Sequence, residues 1–247
     1  MTLLVAEALQ KTFGGVHAVR GVSFVLRAGE MLALIGPNGA GKSTCFNLVG
    51  GQIRPDAGRI RLGGGDITGC GPRAVSQLGV GRTFQITATF ASMTVRENVQ
   101  TSMLAARGQA GAWWRPARKR HRSGADLLLQ RVGLAAQAER GAAVLAYGDL
   151  KRLELAMALA GRPRLLLMDE PTAGMAQGER GALMALVREL ATRDGIGVLF
   201  TEHDMDVVFG VADRILVLNR GELVAQGDPA TIRADKLVQE IYLGGPE

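Results

Sequence analysis

The chain has 247 residues, of which 47% are hydrophobic, 4% aromatic and 21% charged. This composition excludes an intrinsically disordered chain, and the length is sufficient for one globular domain with a largely aliphatic core. No uninterrupted apolar run reaches the roughly 18 to 20 residues that a membrane-spanning helix needs, so a helical membrane protein is excluded as well.

Charge and cysteine content narrow the class of partner and the compartment. The 29 Lys and Arg residues outnumber the 23 Asp and Glu residues, and a net charge of +6 suits phosphates, nucleic acid or an anionic membrane surface without choosing among them. Cys45 and Cys70 lack metal-ligand spacing and are too few for a disulfide framework, so we expect reduced thiols. The first ten residues have no basic flank before an apolar stretch, and we expect the chain to stay in the cytoplasm.

Short aliphatic runs between glycine-rich turns predict strands in chain order at residues 3–5, 22–26, 31–35, 165–168, 197–201 and 215–218. Several runs are continuous and not alternating, which is typical of strands covered on both faces of a parallel sheet. Helices are predicted at 42–49 and at 179–192, the latter stopping near Gly195. Asn219-Arg220-Gly221 predicts a hairpin turn, and Gly227-Asp228-Pro229 leads into short terminal helices.

The pattern changes between residues 86 and 161, where helical signals replace strand-like runs. Thr94 and Glu97 form a T-x-x-E capping box, and Ser123 with Asp126 predicts another helix start. We therefore predict one domain over residues 1–247. Its α/β core comprises residues 1–85 and 162–247, and residues 86–161 form an inserted helical subdomain.

The strongest local motif is G-x-x-x-x-G-K-[ST], which directly follows the apolar run at 31–35. Its residues, here called the phosphate loop, are Gly36, Pro37, Asn38, Gly39, Ala40, Gly41, Lys42, Ser43 and Thr44. Glycines let backbone N–H groups approach phosphate oxygens, Lys42 can reach the β- and γ-phosphates, and the Ser43 hydroxyl can bind Mg²⁺. A chance match would not explain the strand before the motif and the helix after it.

A pair of acids, Asp169 and Glu170, follows the apolar run at 165–168. Asp169 can hold Mg²⁺, and Glu170 can polarise an attacking water. Acids at a strand end are usually only solvated, but together with the phosphate loop they predict a site where Mg²⁺ is held and water attacks a phosphate.

These motifs, in this order, resemble the ABC-transporter ATPase family over almost the full length of the chain. That family carries an aromatic that stacks on adenine, a glutamine between core and helical subdomain, a signature that opens a helix, and a switch histidine. The matching positions are Phe13, Gln85, the signature segment Leu145-Ala146-Tyr147-Gly148-Asp149, and His203. The resemblance implies an α/β P-loop NTPase core of the ABC ATPase type, with ATP and Mg²⁺ as cofactors.

The resemblance also implies a role for each position. Phe13 stacks on adenine, Gln85 senses Mg²⁺ or the attacking water, and His203 contacts the γ-phosphate. Ala146, Tyr147 and Gly148 face the ATP held by a second subunit. Without the family, Phe13 would be a core aromatic, Gln85 a strand-end amide and His203 a surface histidine.

Four positions depart from the family pattern. Ala146 replaces a serine, Tyr147 a glycine and Asp149 a glutamine, while Ala176 stands where Asp or Asn is usual. The two alanines remove polar contacts with the second subunit, and Asp149 favours a helix N-terminus but repels ATP. The resemblance thus implies nucleotide binding more strongly than hydrolytic coupling between two copies of this chain.

Further details resemble the ATPases of branched-chain amino acid importers, namely residues 81–85, 145–148 and 242–244. The implied partners are integral-membrane permease subunits, a second ATPase subunit that is either another copy or a relative, and indirectly a solute-binding protein. The implied location is peripheral, at the cytoplasmic face of the inner membrane, and no nucleic-acid partner is expected. Catalysis is assigned to Glu170, His203, Gln85 and Lys42, and the metal site to Ser43, Gln85 and Asp169.

Two other classes of function were weighed. Soluble ABC ATPases that act on nucleic acid or the ribosome usually carry two cassettes or a long coiled-coil insertion, and neither is present. A small-molecule kinase with a phosphate loop would not explain Gln85, Gly148 and His203 together.

Trp113-Trp114 and the basic residues up to Arg122 form the densest charge run. This run is either a solvated basic helix face or a contact with lipid headgroups or a permease. Nucleic-acid binding is a weaker third option, because no base-stacking module accompanies the charges.

Overall fold

The computed structural model describes residues 1–83, 89–108 and 121–243. Two sheets organise the chain. The first is antiparallel, with strand order β2-β1-β4-β5, and consists of β1 (Thr2–Phe13), β2 (Val16–Arg27), β4 (Ala57–Leu62) and β5 (Gly65–Asp66). β1 and β2 form a long hairpin, and Phe13 is the last residue of β1 before its turn.

The second sheet has six strands in the order β10-β9-β3-β8-β7-β6. Its members are β3 (Met31–Ile35), β6 (Val80–Thr83), β7 (Leu165–Asp169), β8 (Gly197–Thr201), β9 (Arg214–Asn219) and β10 (Glu222–Gly227). The five strands from β9 to β6 pair in parallel, and β10 is antiparallel to β9. The predicted α/β class and the predicted aliphatic strands are confirmed.

Both faces of this parallel sheet are buried. In β3, Met31, Ala33 and Ile35 join one hydrophobic cluster, while Leu32 and Leu34 join the cluster on the opposite face. Successive side chains of a strand point to opposite faces, so a continuous apolar run is what a doubly covered strand requires. The covered faces leave the strand ends as the place for polar side chains.

The helices are α1 (Lys42–Val49), α2 (Pro72–Gln77), α3 (Val95–Ala106), α4 (Arg122–Arg131), α5 (Tyr147–Leu159), α6 (Gln177–Asp194), α7 (Met205–Val211), α8 (Pro229–Ala234) and α9 (Lys236–Leu243). Of these, α3, α4 and α5 lie between residues 86 and 161, and α3 packs against both α4 and α5. The division into core and helical subdomain at these boundaries stays a prediction. In the described ranges no helix is both long and apolar enough to cross a membrane.

Most of the predicted local signals are confirmed. The Thr94 hydroxyl accepts from the Glu97 N–H at 3.1 Å, and the Glu97 carboxylate accepts from the Thr94 N–H at 2.9 Å, which completes the capping box of α3. α6 ends at Gly195, whose φ is 68°. Arg220 and Gly221 both have positive φ, as the β9–β10 hairpin turn requires.

The predicted helix start at Ser123 is wrong. α4 begins at Arg122, and its N-cap is His121 in the left-handed conformation, with no side-chain cap. The Asp126 carboxylate is instead bound by Arg96, at 2.5 Å from Nε. Asp126 therefore forms an ion pair with Arg96 of α3, and it does not take part in the helix cap that the sequence pattern predicted.

Candidate functional site

The phosphate loop connects β3 to α1 and can be built only with glycine at two positions. At Gly36, φ is 152° and an ideal Cβ would lie 2.2 Å from the Leu218 carbonyl oxygen. At Gly41, φ is 102° and a Cβ would lie 2.4 Å from the Ala18 carbonyl oxygen. The loop is thus pressed between β9 and β2 at the carboxyl end of the parallel sheet.

This loop leads directly into the N-terminus of α1. Gly41 is the N-cap and offers no side-chain oxygen, so the first N–H groups of the helix have no side-chain cap. Asn38, Gly39 and Ser43 are exposed around this end. Exposed backbone donors at a helix N-terminus form a ready anion site.

The Lys42 side chain folds back over the phosphate loop. Its Nζ donates to the carbonyl oxygens of Gly36 at 2.6 Å and Pro37 at 3.1 Å. Burial lowers the pKa of Lys42, while the negative charges of Glu170 and Asp169 act in the opposite direction. The ammonium therefore lies on the loop that can receive phosphate and feels the charges of the two acids at the end of β7.

Asp169 and Glu170 are both held by Thr201, a residue that the sequence analysis did not single out. The Thr201 hydroxyl donates to Asp169 Oδ1 at 2.7 Å and accepts from the Glu170 N–H at 3.0 Å. Arg82 Nη2 lies 4.0 Å from Asp169 Oδ2. Thr201 is opposite Asp169 in the β7–β8 register, so its position at the end of a predicted strand was the available signal.

His203 lies beside Glu170. Its Nε2 is 2.9 Å from Glu170 Oε1. The neighbouring Glu202 is buried and accepts from the Thr172 N–H at 2.7 Å. Burial raises the pKa of the Glu202 carboxyl, and its hydrogen bonds with Thr172 act against that rise.

Phe13 lies at the tip of the β1–β2 hairpin and is 48% exposed. The Lys11 Nζ is 5.5 Å from the centre of its ring. The same hairpin contributes Ala18, whose carbonyl lies against Gly41. An exposed ring on a hairpin that touches the phosphate loop is a suitable surface for stacking a base.

The signature segment opens α5, with Ala146 as an N-cap that makes no side-chain hydrogen bond. The Tyr147 hydroxyl donates to the Ala173 carbonyl at 3.0 Å. At Gly148 an ideal Cβ would lie 3.0 Å from a Glu179 carboxylate oxygen, so α5 and α6 approach closely there. Gln85 lies outside the described residues.

The residues present fit a magnesium site in which a bound nucleotide supplies the remaining ligands. Within the described part of the chain, no group of three or more His, Cys, Asp or Glu side chains could hold a metal by itself. Mg²⁺ is typically held by one or two carboxylates together with substrate phosphates and waters. The Asp169 carboxylate and the Ser43 hydroxyl supply hard oxygen donors of that kind.

Comparison with protein families gives two matches. The family described as ABC transporter matches residues 19–173, and the family described as branched-chain amino acid ATP-binding cassette transporter matches residues 222–247. The chain is 41% identical over 249 residues to the high-affinity branched-chain amino acid transport ATP-binding protein LivG of Salmonella typhimurium, covering 98% of each chain. It is 38% identical over 250 residues to BraF of Pseudomonas aeruginosa, which has the same description, again with 98% of each covered.

Solved structures give the same result for the fold. A nucleotide-free ATP-binding cassette from an ABC transporter superposes with a TM-score of 0.89 at 32% identity, over 99% of this chain and 100% of that one. The ADP conformation of an ATP-binding cassette of an ABC transporter matches with a TM-score of 0.89 at 32% identity, over 99% of each chain. With matching fold, motifs and near-complete sequence coverage, the chain belongs to the ATP-binding subunit family of ABC transporters.

Proposed function

We propose that this chain is the ATP-hydrolysing subunit of an ABC importer for branched-chain amino acids or related small polar molecules. As a member of its family the chain is an ATPase. The observation that carries the proposal is the convergence of the phosphate loop, Asp169, Glu170 and His203 at one edge of the parallel sheet. The cargo class is supported by the full-length similarity to LivG and BraF and by the match at residues 222–247.

The proposed chemistry assigns one task to each residue. The phosphate loop binds the phosphates of ATP, with Lys42 on the β- and γ-phosphates, and Phe13 stacks on the adenine. Glu170 accepts a proton from the attacking water, while His203 contacts the γ-phosphate and orients Glu170. When bound at Asp169 and Ser43, Mg²⁺ supplies positive charge that offsets the charge of the phosphate oxygens.

Two further assignments rest on the family resemblance. Gln85 is proposed to complete the site by contacting Mg²⁺ or the attacking water. Ala146, Tyr147 and Gly148 are proposed to face the ATP that a second ATPase subunit holds. The N-terminus of α5 presents backbone donors and a positive dipole end to such an anion even though Ala146 has no hydroxyl.

The proposed assembly places two ATPase subunits head to tail around two ATP molecules, under the permease subunits of the transporter. The second subunit is another copy or a related ATPase, and a solute-binding protein delivers the cargo to the permease. The chain would then lie at the cytoplasmic face of the inner membrane as a peripheral subunit. ATP-driven closure moves the permease, and hydrolysis reopens the pair.

The test is purification of the chain with its permease and solute-binding protein, followed by measurement of ATPase activity with each candidate amino acid or amide. Stimulation by branched-chain amino acids supports the proposal, and failure to associate with the permease contradicts it.

The phosphate-site assignment is tested by Lys42→Ala. This change should weaken ATP binding by about ten- to a hundred-fold, because a charge-assisted hydrogen bond contributes about 1.5 to 3 kcal/mol. Lys236→Ala, which removes an exposed lysine at the start of α9, is the matched control and should bind ATP normally. Wild-type ATP affinity of Lys42→Ala would contradict the assignment.

A further inference from the structure

Residues 171–175 follow Glu170, and this segment, here called the post-Glu170 loop, is held on one side by the residues after β8. Glu202 accepts from the Thr172 N–H at 2.7 Å, and these residues are 5% and 2% exposed. Farther along, Arg180 donates to the Met175 carbonyl at 3.0 Å and to the Asp204 carboxylate at 2.7 Å. The segment that carries His203 thus fixes both ends of the loop.

The middle of the post-Glu170 loop is held from the opposite side by Tyr147, the first residue of α5. Its hydroxyl donates to the Ala173 carbonyl at 3.0 Å. The next residue, Gly174, has a φ of 77°, and a Cβ there would lie 3.3 Å from the Tyr147 ring. The ring and the loop backbone are therefore in direct contact, and the glycine makes room for it.

The Tyr147 ring is also held from the helix side. The Lys151 ammonium, one turn along α5, lies 5.6 Å from the ring centre, a distance at which a cation is attracted to an aromatic face. Lys151 pairs with Glu154 at 3.6 Å, and these side chains are only 2% and 6% exposed. A buried ion pair is costly to rearrange, so it holds the ammonium in place under the ring.

Ala173 links Tyr147 to the catalytic region. The Ala173 N–H donates to the Glu170 carbonyl at 3.1 Å, while the Ala173 carbonyl receives the Tyr147 hydroxyl. Glu170 in turn contacts His203. A short series of hydrogen bonds therefore runs from the N-terminus of α5 through the post-Glu170 loop to Glu170 and His203.

We infer that Tyr147 is a positioning residue that couples the start of α5 to the post-Glu170 loop of the same subunit. The inference rests on the proposed function, in which the start of α5 faces the nucleotide of the second subunit and Glu170 serves the nucleotide bound here. Closure of α5 on one nucleotide then shifts the post-Glu170 loop, which is hydrogen-bonded to Glu170, the residue that serves the other nucleotide. Because Ala146 and Ala176 have no polar side chains, this link within the subunit takes on part of the coupling that such side chains would provide between subunits.

The test compares Tyr147→Phe with Tyr147→Ala in the complete transporter with its partner ATPase. Phenylalanine keeps the ring against Gly174 and Lys151 and removes only the hydroxyl, whereas alanine removes both. We expect Tyr147→Phe to lower kcat about five-fold, the equivalent of one hydrogen bond of about 1 kcal/mol. The Hill coefficient of ATP hydrolysis should fall toward that of independent sites.

Two controls separate coupling from folding. The isolated Tyr147→Phe chain should bind ATP with wild-type affinity, because the phosphate loop is untouched, and its thermal midpoint should show that the fold is retained. Tyr147→Ala should lower kcat and the Hill coefficient at least as much as Tyr147→Phe.

The opposite results overturn the inference. If Tyr147→Phe has the wild-type kcat and Hill coefficient, the Tyr147 hydroxyl does not couple the two segments. Any loss of activity in Tyr147→Ala would then come only from the missing packing of the ring. If the wild-type complex assembles and hydrolyses ATP, and Tyr147→Phe behaves like the wild type, then only this inference is overturned and the proposed function is unaffected. A wild-type chain that neither joins the permease nor hydrolyses ATP overturns the proposed function and, with it, this inference.

Discussion

Glu170 shows how a single residue is held at the site against its own backbone preference. Its φ of 48° lies in the left-handed region, which costs a non-glycine residue about 1 to 2 kcal/mol. The Thr201 hydroxyl accepts from its N–H, and His203 binds its carboxylate. A strained backbone that its neighbours maintain is typical of functional positions, because the strain fixes the direction of the side chain.

The buried Glu202 should make the free energy of unfolding depend on pH. Burial raises its pKa above the ordinary 4.5, and the charge of Glu170 adds to this rise. The folded chain therefore keeps the proton to higher pH than the unfolded chain. The free energy of unfolding should fall as the pH rises from the unfolded pKa through the raised folded pKa.

Glu202→Gln should abolish this contribution, because glutamine does not ionise and still offers an oxygen to the Thr172 N–H. Urea unfolding of both proteins at a series of pH values, from the ordinary carboxyl pKa of 4.5 upward, is the measurement. We expect the stability of Glu202→Gln relative to wild type to increase with pH. A difference that does not change with pH would contradict the assignment.

At the scale of elements, the phosphate loop requires glycine for two reasons: its backbone lies close to β2 and β9, and its backbone adopts positive φ. Gly41 lies against the Ala18 carbonyl of β2, and Gly36 against the Leu218 carbonyl of β9. Gly39 also has a positive φ, of 79°, but a Cβ there would meet nothing within 4 Å. Glycine is therefore required for two different reasons within one loop.

Gly41→Ala and Gly39→Ala separate these reasons. Gly39→Ala should cost about 1 to 2 kcal/mol from the left-handed backbone alone. Gly41→Ala should cost an additional amount of about 1 to 3 kcal/mol, because the Ala18 carbonyl must move to admit the methyl group. Urea unfolding without nucleotide measures both, and equal losses of stability would contradict the steric argument.

At the scale of the whole molecule, the site exists because β3, β8 and β7 are neighbours in the parallel sheet. Parallel strands place their carboxyl ends at the same edge, so residues 36–44, 169–170 and 201–203 converge although they are far apart in sequence. The hairpin of β1 and β2 adds Phe13 from the second sheet. In the proposed assembly, the second subunit would contribute its signature to this site.

Glu170→Gln tests this assembly. Glutamine keeps the size of the side chain but cannot take a proton from water, so hydrolysis should fall by about 10² to 10⁴-fold. ATP binding should persist, because Lys42 and the phosphate loop are unchanged, and ATP should hold the two ATPase subunits together for longer.

The measurements for this variant are the ATPase rate and size-exclusion chromatography with ATP, with the correct partner subunit present. Hydrolysis at the wild-type rate would exclude Glu170 as the base. An inactive variant that never dimerises, even with permease and partner, would contradict the head-to-tail arrangement.

The amino-acid sequence by itself determined the features whose signals are local. Continuous aliphatic runs predicted the parallel strands, Thr94 and Glu97 predicted the start of α3, and Gly195 predicted the end of α6. Each depends on side chains within a few residues, so composition and spacing were sufficient. The helix start predicted at Ser123 was wrong because a distant residue decided it. The Asp126 carboxylate binds Arg96, which is 30 residues away in the sequence.

Only the tertiary structure decided how the site is held. Thr201 binds Glu170 and Asp169 across 31 and 32 residues, and Tyr147 binds Ala173 across 26. These contacts depend on the order and register of β7 and β8 and on the packing of α5 beside the post-Glu170 loop. No periodicity in the sequence encodes which residues of separate elements will face each other, because that is set by how the hydrophobic faces of the sheet and helices pack together.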